Sequence, residues 1–129
     1  MLAIDTNVVV RLIVDDDHEQ CLRAKGLITN YPVFVSNTVL LECEWVLRSA
    51  YGLDPSDFVE AFRDFSGIAN VNLEDPRLAA AALSWHESGM DFADAMHLGR
   101  ADGCEAFVSF DKGLAKTAAK VGRMRVRAP

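Results

Sequence analysis

Short apolar segments alternate along the whole chain with longer segments patterned for helices. That rhythm constrains the fold more than any other feature, because apolar strands separated by helices are strands of a parallel sheet covered on both faces. The strand segments are Leu2 to Ile4, Val33 to Val35, Asn70 to Leu73, Ala106 to Phe110 and Met124 to Val126. Between them, Asp17 or a neighbour caps a helix from about His18 to Asn30, and Asn37 caps the next. In that helix Val39, Leu40, Cys43, Val46, Leu47 and Ala50 form one stripe, which Gly52 ends. Asp54-Pro55 opens a helix to about Ser66, Asp75-Pro76 another that stops at Gly89, Asp91 a third to about Ala101, and Asp111 the last, ending near Gly122. No repeat or linker interrupts the pattern, so residues 1–129 are expected to form a single α/β domain. The architecture expected is a small three-layer α/β/α sandwich on a parallel sheet of about five strands.

The 129 residues, half of them apolar, suffice for a core without disulfides or structural metal. Cys21, Cys43 and Cys104 are odd in number and widely spaced, which excludes a disulfide framework or a CxxC zinc site, and they read as buried small hydrophobes. No apolar run approaches the ~18 residues of a membrane span. The start Met1-Leu2-Ala3-Ile4-Asp5 lacks the basic and apolar regions of a signal segment, so the expected location is cytoplasmic.

Charge is distributed unevenly. The net charge is −6, yet residues 1–111 hold all 19 acids against 7 bases, and residues 112–129 hold Lys112, Lys116, Lys120, Arg123, Arg125 and Arg127 with no acid. The acidic total argues against binding nucleic acid by bulk positive charge, so the acids are either a solvated surface or partly gathered for a cation, while the six C-terminal bases read either as complements of a helix dipole or as contacts for RNA phosphate. In open parallel sheets, ligands sit beyond the carboxyl ends of the strands. Asp5 follows the first strand directly and Asp111 the fourth; Glu42 lies in the second turn of the helix after the second strand, and Asp94 in the first turn of the helix that Asp91 opens. Each has a purely structural alternative: Asp5 and Asp111 as helix caps, Asp94 as the acid of a capping box, Glu42 as part of a solvated face. Gathered together, these carboxylates repel one another, and a hard divalent cation, Mg²⁺ or Mn²⁺, removes that cost.

These residues resemble a known family. The opening strand with Asp5-Thr6-Asn7, the helix LLECEWVLRSAYGL with Glu42, the segment Asp91-Phe92-Ala93-Asp94-Ala95-Met96-His97 and the ending Val108-Ser109-Phe110-Asp111 are similar to PIN-domain ribonucleases, specifically the VapC-like toxins of bacterial type II toxin–antitoxin pairs. The resemblance implies strand order 3-2-1-4-5 and Mg²⁺- or Mn²⁺-dependent endonucleolytic cleavage of RNA. It makes Asp5, Glu42, Asp94 and Asp111 the catalytic and metal set, with Asp5 and Asp94 as direct ligands and Glu42 and Asp111 acting through water. Thr6, Asn7 and Ser109 become candidates for holding these acids by hydrogen bonds, and Asp91 a helix cap or supporting acid. A cognate antitoxin and a homodimer are the partners it implies, with no membrane.

His97, three residues after Asp94, has a spacing that serves a metal, although a hard-cation site needs no imidazole. Asp15-Asp16-Asp17 reads as a solvated loop and helix cap. Leu41 and Trp45 read as packing under a neighbouring helix, with an exposed patch for a partner as the alternative. Two other functions compete: a non-catalytic PIN-like module that binds RNA or protein, and an Asp-based phosphohydrolase or phosphotransfer domain. The second is disfavoured because Asn7 stands where a dehalogenase-like motif has a second Asp, and because Leu73-Glu74-Asp75-Pro76 reads as a helix start rather than a phosphorylation site.

Overall fold

The computed structural model describes residues 1–122 and 124–129; Arg123, part of the C-terminal basic run, lies outside the described residues. Parallel strands alternate with helices throughout, which is the expected α/β class. The chain divides into two units, Met1–Pro76 and Arg77–Pro129.

In the first unit the order is β1 (Leu2–Ala3), α1 (Thr6–Ile13), α2 (His18–Asn30), β2 (Val33–Val35), α3 (Asn37–Ser49), α4 (Pro55–Ser66) and β3 (Val71–Leu73). The strands pair in parallel as β1-β2-β3, with Leu2 opposite Val33 and Val33 opposite Val71. Helix α1 follows Asp5, its cap, where a helix start is one of the readings of that residue. Its run TNVVVRLI favours a strand by propensity, but Val9 and Val10 are buried and α1 packs on α2, α3 and α4. Tertiary burial overrides local preference here. The expected cap of α3 shifts by one residue: Ser36 Oγ accepts from Val39 N–H at 3.2 Å, while Asn37 is the first helical residue and donates its N–H to Glu74 Oε1 at 3.1 Å. Serine caps as well as asparagine does, and here Ser36 holds the extended backbone a cap requires. Ser36→Ala is expected to cost about 1 kcal/mol, read as a lower midpoint in urea unfolding.

The second unit holds most of α5 (Pro76–Glu87), then α6 (Phe92–Arg100), β4 (Phe107–Val108), α7 (Lys112–Val121) and β5 (Val126–Arg127). Strands β4 and β5 pair in parallel, Phe107 opposite Val126 and Val108 opposite Arg127. Helix α7 stops at Gly122, whose φ of 67° is the left-handed conformation that ends helices without a Cβ clash. The buried imidazole of His86 is bonded through Nδ1 to Met90 O at 2.7 Å and lies edge-on to Phe92. Gly99 on α6 allows close approach: a Cβ there would collide with Leu78 Cδ1 and lie 3.5 Å from Trp85 Cζ3. Glycine to alanine ordinarily strengthens a helix, but Leu78 and Trp85 are buried and have little room to move. Gly99→Ala is therefore expected to destabilise by about 1–3 kcal/mol, a sign opposite to propensity, measurable by thermal unfolding.

The expected sheet of about five strands is observed as two ladders, each keeping its own part of the order 3-2-1-4-5. Among the described residues no helix is long and apolar enough to cross a membrane.

Candidate functional site

In the first unit, Asp5 follows β1 and caps α1, its Oδ1 accepting from Thr6 N–H at 2.8 Å. The side chain is exposed, and Oδ2 receives no hydrogen bond among the described residues. Glu42 is exposed on α3 beside the buried Cys43. Burial pushes the Cys43 thiol up to about 12, and the negative charges of Glu42 and then Asp5 add to the shift. One buried thiol thus feels both carboxylates, which places Asp5 and Glu42 around the same point of the unit. The second glutamate of this segment, Glu44, has a structural role that sequence reading passed over: it is buried and takes Arg48 Nε at 2.9 Å, one helical turn on. The signal available was the four-residue Glu–Arg spacing.

Two expected supports of Asp5 behave differently. Thr6 holds the carboxylate through its backbone N–H, while its buried hydroxyl has no hydrogen-bond partner among the described residues. Asn7 is exposed and makes no hydrogen bond to an acid among the described residues; it lines a cleft of about 390 Å³ with Val8, Arg11, Gln20, Arg23, Ala24 and Leu27. The aspartate triplet behaves as expected: Asp17 caps α2, and Asp16 takes Arg11 at 3.0 Å and the Tyr51 hydroxyl at 2.5 Å. Trp45 does not pack under a helix but is 59% exposed, and Cys104, expected inside, is exposed in the turn after α6. In both cases burial is decided by distant neighbours, not by residue type.

In the second unit, Asp91 caps α6 through Asp94 N–H at 3.2 Å, so the capping reading holds for it. Asp94 stands in the first turn with its carboxyl held above the ordinary carboxylate range, first by burial, then by the charges of Asp91 and Asp111; His97 opposes the shift. Asp111 caps α7 through Leu114 N–H at 3.0 Å and donates its own N–H to Ser109 Oγ at 3.0 Å. Ser109 therefore positions Asp111, the support expected of it.

The second unit thus brings Asp91, Asp94 and Asp111 within electrostatic reach of one another, and the first unit brings together Asp5 and Glu42. Among the described residues, no three His, Cys, Asp or Glu side chains are gathered at metal-holding distance. The donor chemistry nonetheless suits a hard cation: all donors are carboxylate oxygens, and Asp5 and Asp111 each use one oxygen as a cap and keep another. A cation would also remove the repulsion that raises Asp94. Compared with known families, the chain matches the model described as PIN domain over residues 2–120, a span that contains every one of these acids. No curated protein matches it.

Proposed function

Because the chain belongs to the PIN-domain family, whose members are mostly metal-dependent nucleases, we propose that it is a Mg²⁺- or Mn²⁺-dependent endoribonuclease and the toxin of a toxin–antitoxin pair, acting in the cytoplasm. The observation that supports this most is Asp94, a carboxyl kept above its usual range by burial and by like-charged Asp91 and Asp111. A carboxyl perturbed by burial and by like charges is a mark of sites that handle a cation or a proton.

In this reading Asp5 and Asp94 would hold the metal directly, and Glu42 and Asp111 would complete the site through its waters or orient the attacking water. A bound divalent cation supplies positive charge to a phosphoryl oxygen and lowers the pKa of water. Ser109 keeps Asp111 in place through its N–H, and the two caps fix Asp5 and Asp111 at the starts of α1 and α7 so that neither has to be ordered during the reaction. A cognate antitoxin and a second copy of the chain are its protein partners, and exposed Trp45 is one of the apolar side chains available for such contact.

The test is incubation of the full chain with single-stranded RNA in Mg²⁺, in Mn²⁺ and in excess EDTA, for wild type and Asp5→Asn. Cleavage is expected only for wild type with metal. RNA cut equally by both proteins, or cut in EDTA, would sink the assignment.

A further inference from the structure

The β4–β5 ladder exposes a side-chain arrangement that the proposed chemistry does not use. Phe110 is 86% exposed, the most exposed large apolar side chain described, and Val108 two residues before it is 49% exposed. An aromatic ring left in water forgoes most of the gain from burying it. Nor does a loose loop explain it. Ser109 N–H donates to Arg127 O at 3.0 Å, Asp111 N–H donates to Ser109 Oγ at 3.0 Å, and Asp111 caps α7, so the backbone on both sides of Phe110 is tied.

Beside it runs a stripe of positive charge. Val108 pairs in register with Arg127, so the two side chains share one face of the ladder. Arg125, two residues earlier, joins them, and Ala106, Val108, Arg125, Arg127 and Glu105 line a hollow of about 210 Å³. Arg127 Nη1 bonds only to Ala128 O, at 3.0 Å, and neither guanidinium meets a carboxylate among the described residues. Lys112, Lys116 and Lys120 of α7 continue the charge, and no acid occurs after Asp111.

An exposed ring just past the end of a strand, on a ladder that carries two unpaired guanidinium groups, is chemistry that suits single-stranded RNA: the ring stacks on a base, and the arginines take the flanking phosphates. We infer that Phe110 is a base-stacking residue, with Arg125 and Arg127 as its phosphate contacts, so that a nucleotide is seated one residue from Asp111. The inference rests on RNA being the substrate, as proposed above. A protein surface fits less well, because the apolar area is small and the two guanidinium groups of the ladder meet no carboxylate among the described residues.

The experiment measures binding of fluorescently labelled 12-nucleotide oligo(A) and oligo(U) RNA to the full chain in EDTA, where no cleavage is expected, and separately cleavage in Mg²⁺ or Mn²⁺. Phe110→Ala should weaken binding about five- to 150-fold, the range of a single base–aromatic stack, without changing its salt dependence. Phe110→Trp should retain affinity, with indole emission quenched by RNA beyond any change in wild type from Trp45 and Trp85. Arg125→Ala and Arg127→Ala should each flatten the slope of log affinity against log salt by about 0.7. Because the ring is 86% exposed, the variants should keep the wild-type circular dichroism. Wild-type affinity and cleavage in Phe110→Ala overturn the stacking role while leaving the nuclease reading intact. So does a change of self-association with RNA affinity unchanged, which would make this a protein contact. Phe110-dependent RNA binding by a chain that cleaves nothing in either metal supports the surface and overturns the nuclease.

Discussion

Asp94→Asn should abolish RNA cleavage and at the same time make the protein more stable at neutral pH. The loss of activity is expected to be about a hundredfold or more, because a charge that acts only in a preorganised site is worth at least that much. The gain in stability follows from the sign of the pKa shift. Burial, Asp91 and Asp111 raise the folded-state pKa of Asp94 above that of an unfolded aspartate. Below the unfolded value, near 3.9, the group is protonated in both states and carries no penalty. As pH rises through the raised folded pKa the native state must carry an unfavourable charge, and stability is lost relative to an uncharged side chain. Thermal midpoints of wild type and Asp94→Asn should therefore differ most at pH 7, with the variant higher, and converge as the solution is acidified. Added Mg²⁺ should raise the wild-type midpoint and leave the variant nearly unmoved, since binding to the native state alone stabilises it by mass action. A variant as active as wild type, or less stable than wild type at pH 7 without metal, would contradict this account. Asparagine is the substitution of choice at Asp5 and Asp111 too, because it retains the helix cap that alanine would remove.

Phe62→Ala should have the largest effect on stability in the first unit. Phe62 is fully buried on α4, its ring 5.7 Å from that of Phe58 and 5.5 Å from that of Phe65. Removing the ring forfeits its transfer free energy and leaves a cavity that the neighbouring aromatic rings cannot fill, a loss of about 3–5 kcal/mol. Against a typical domain stability of about 5–15 kcal/mol, that populates unfolded chain under mild denaturant. Urea unfolding followed by circular dichroism measures the loss. Phe65→Ala, on a residue that is also buried, should cost a comparable amount, and a change below about 1 kcal/mol at Phe62 would show that the cluster is not part of the core.

Local signals located most elements. Helices α2 and α4 fall on the expected residues because each begins with an aspartate cap and, in α4, a proline in the first turn. Helix α1 carries no such contrast, since three consecutive valines describe a strand as well as a helix, and only the burial of Val9 and Val10 decides. Strands β1, β4 and β5 are shorter than the apolar runs that announce them, because strand length depends on how many backbone groups find a partner on a distant segment. The acids were legible by their places after strands and at helix starts. Which of them share a neighbourhood was not, for the interaction of Asp94 with Asp111 joins two helices through the fold of the second unit. Phe110 reads in sequence as the end of an apolar strand and a neighbour of Asp111, because exposure of an aromatic ring has no mark in sequence.

The protonated thiol of Cys43 has a practical consequence. With its pKa near 12 and its side chain buried, it offers almost no thiolate at neutral pH, and Cys21 is buried as well. Cys104 alone faces solvent. A maleimide dye should therefore tag the native chain at this one position without any cysteine being removed, giving a single fluorophore in the second unit from which encounters with nucleic acid can be followed in real time.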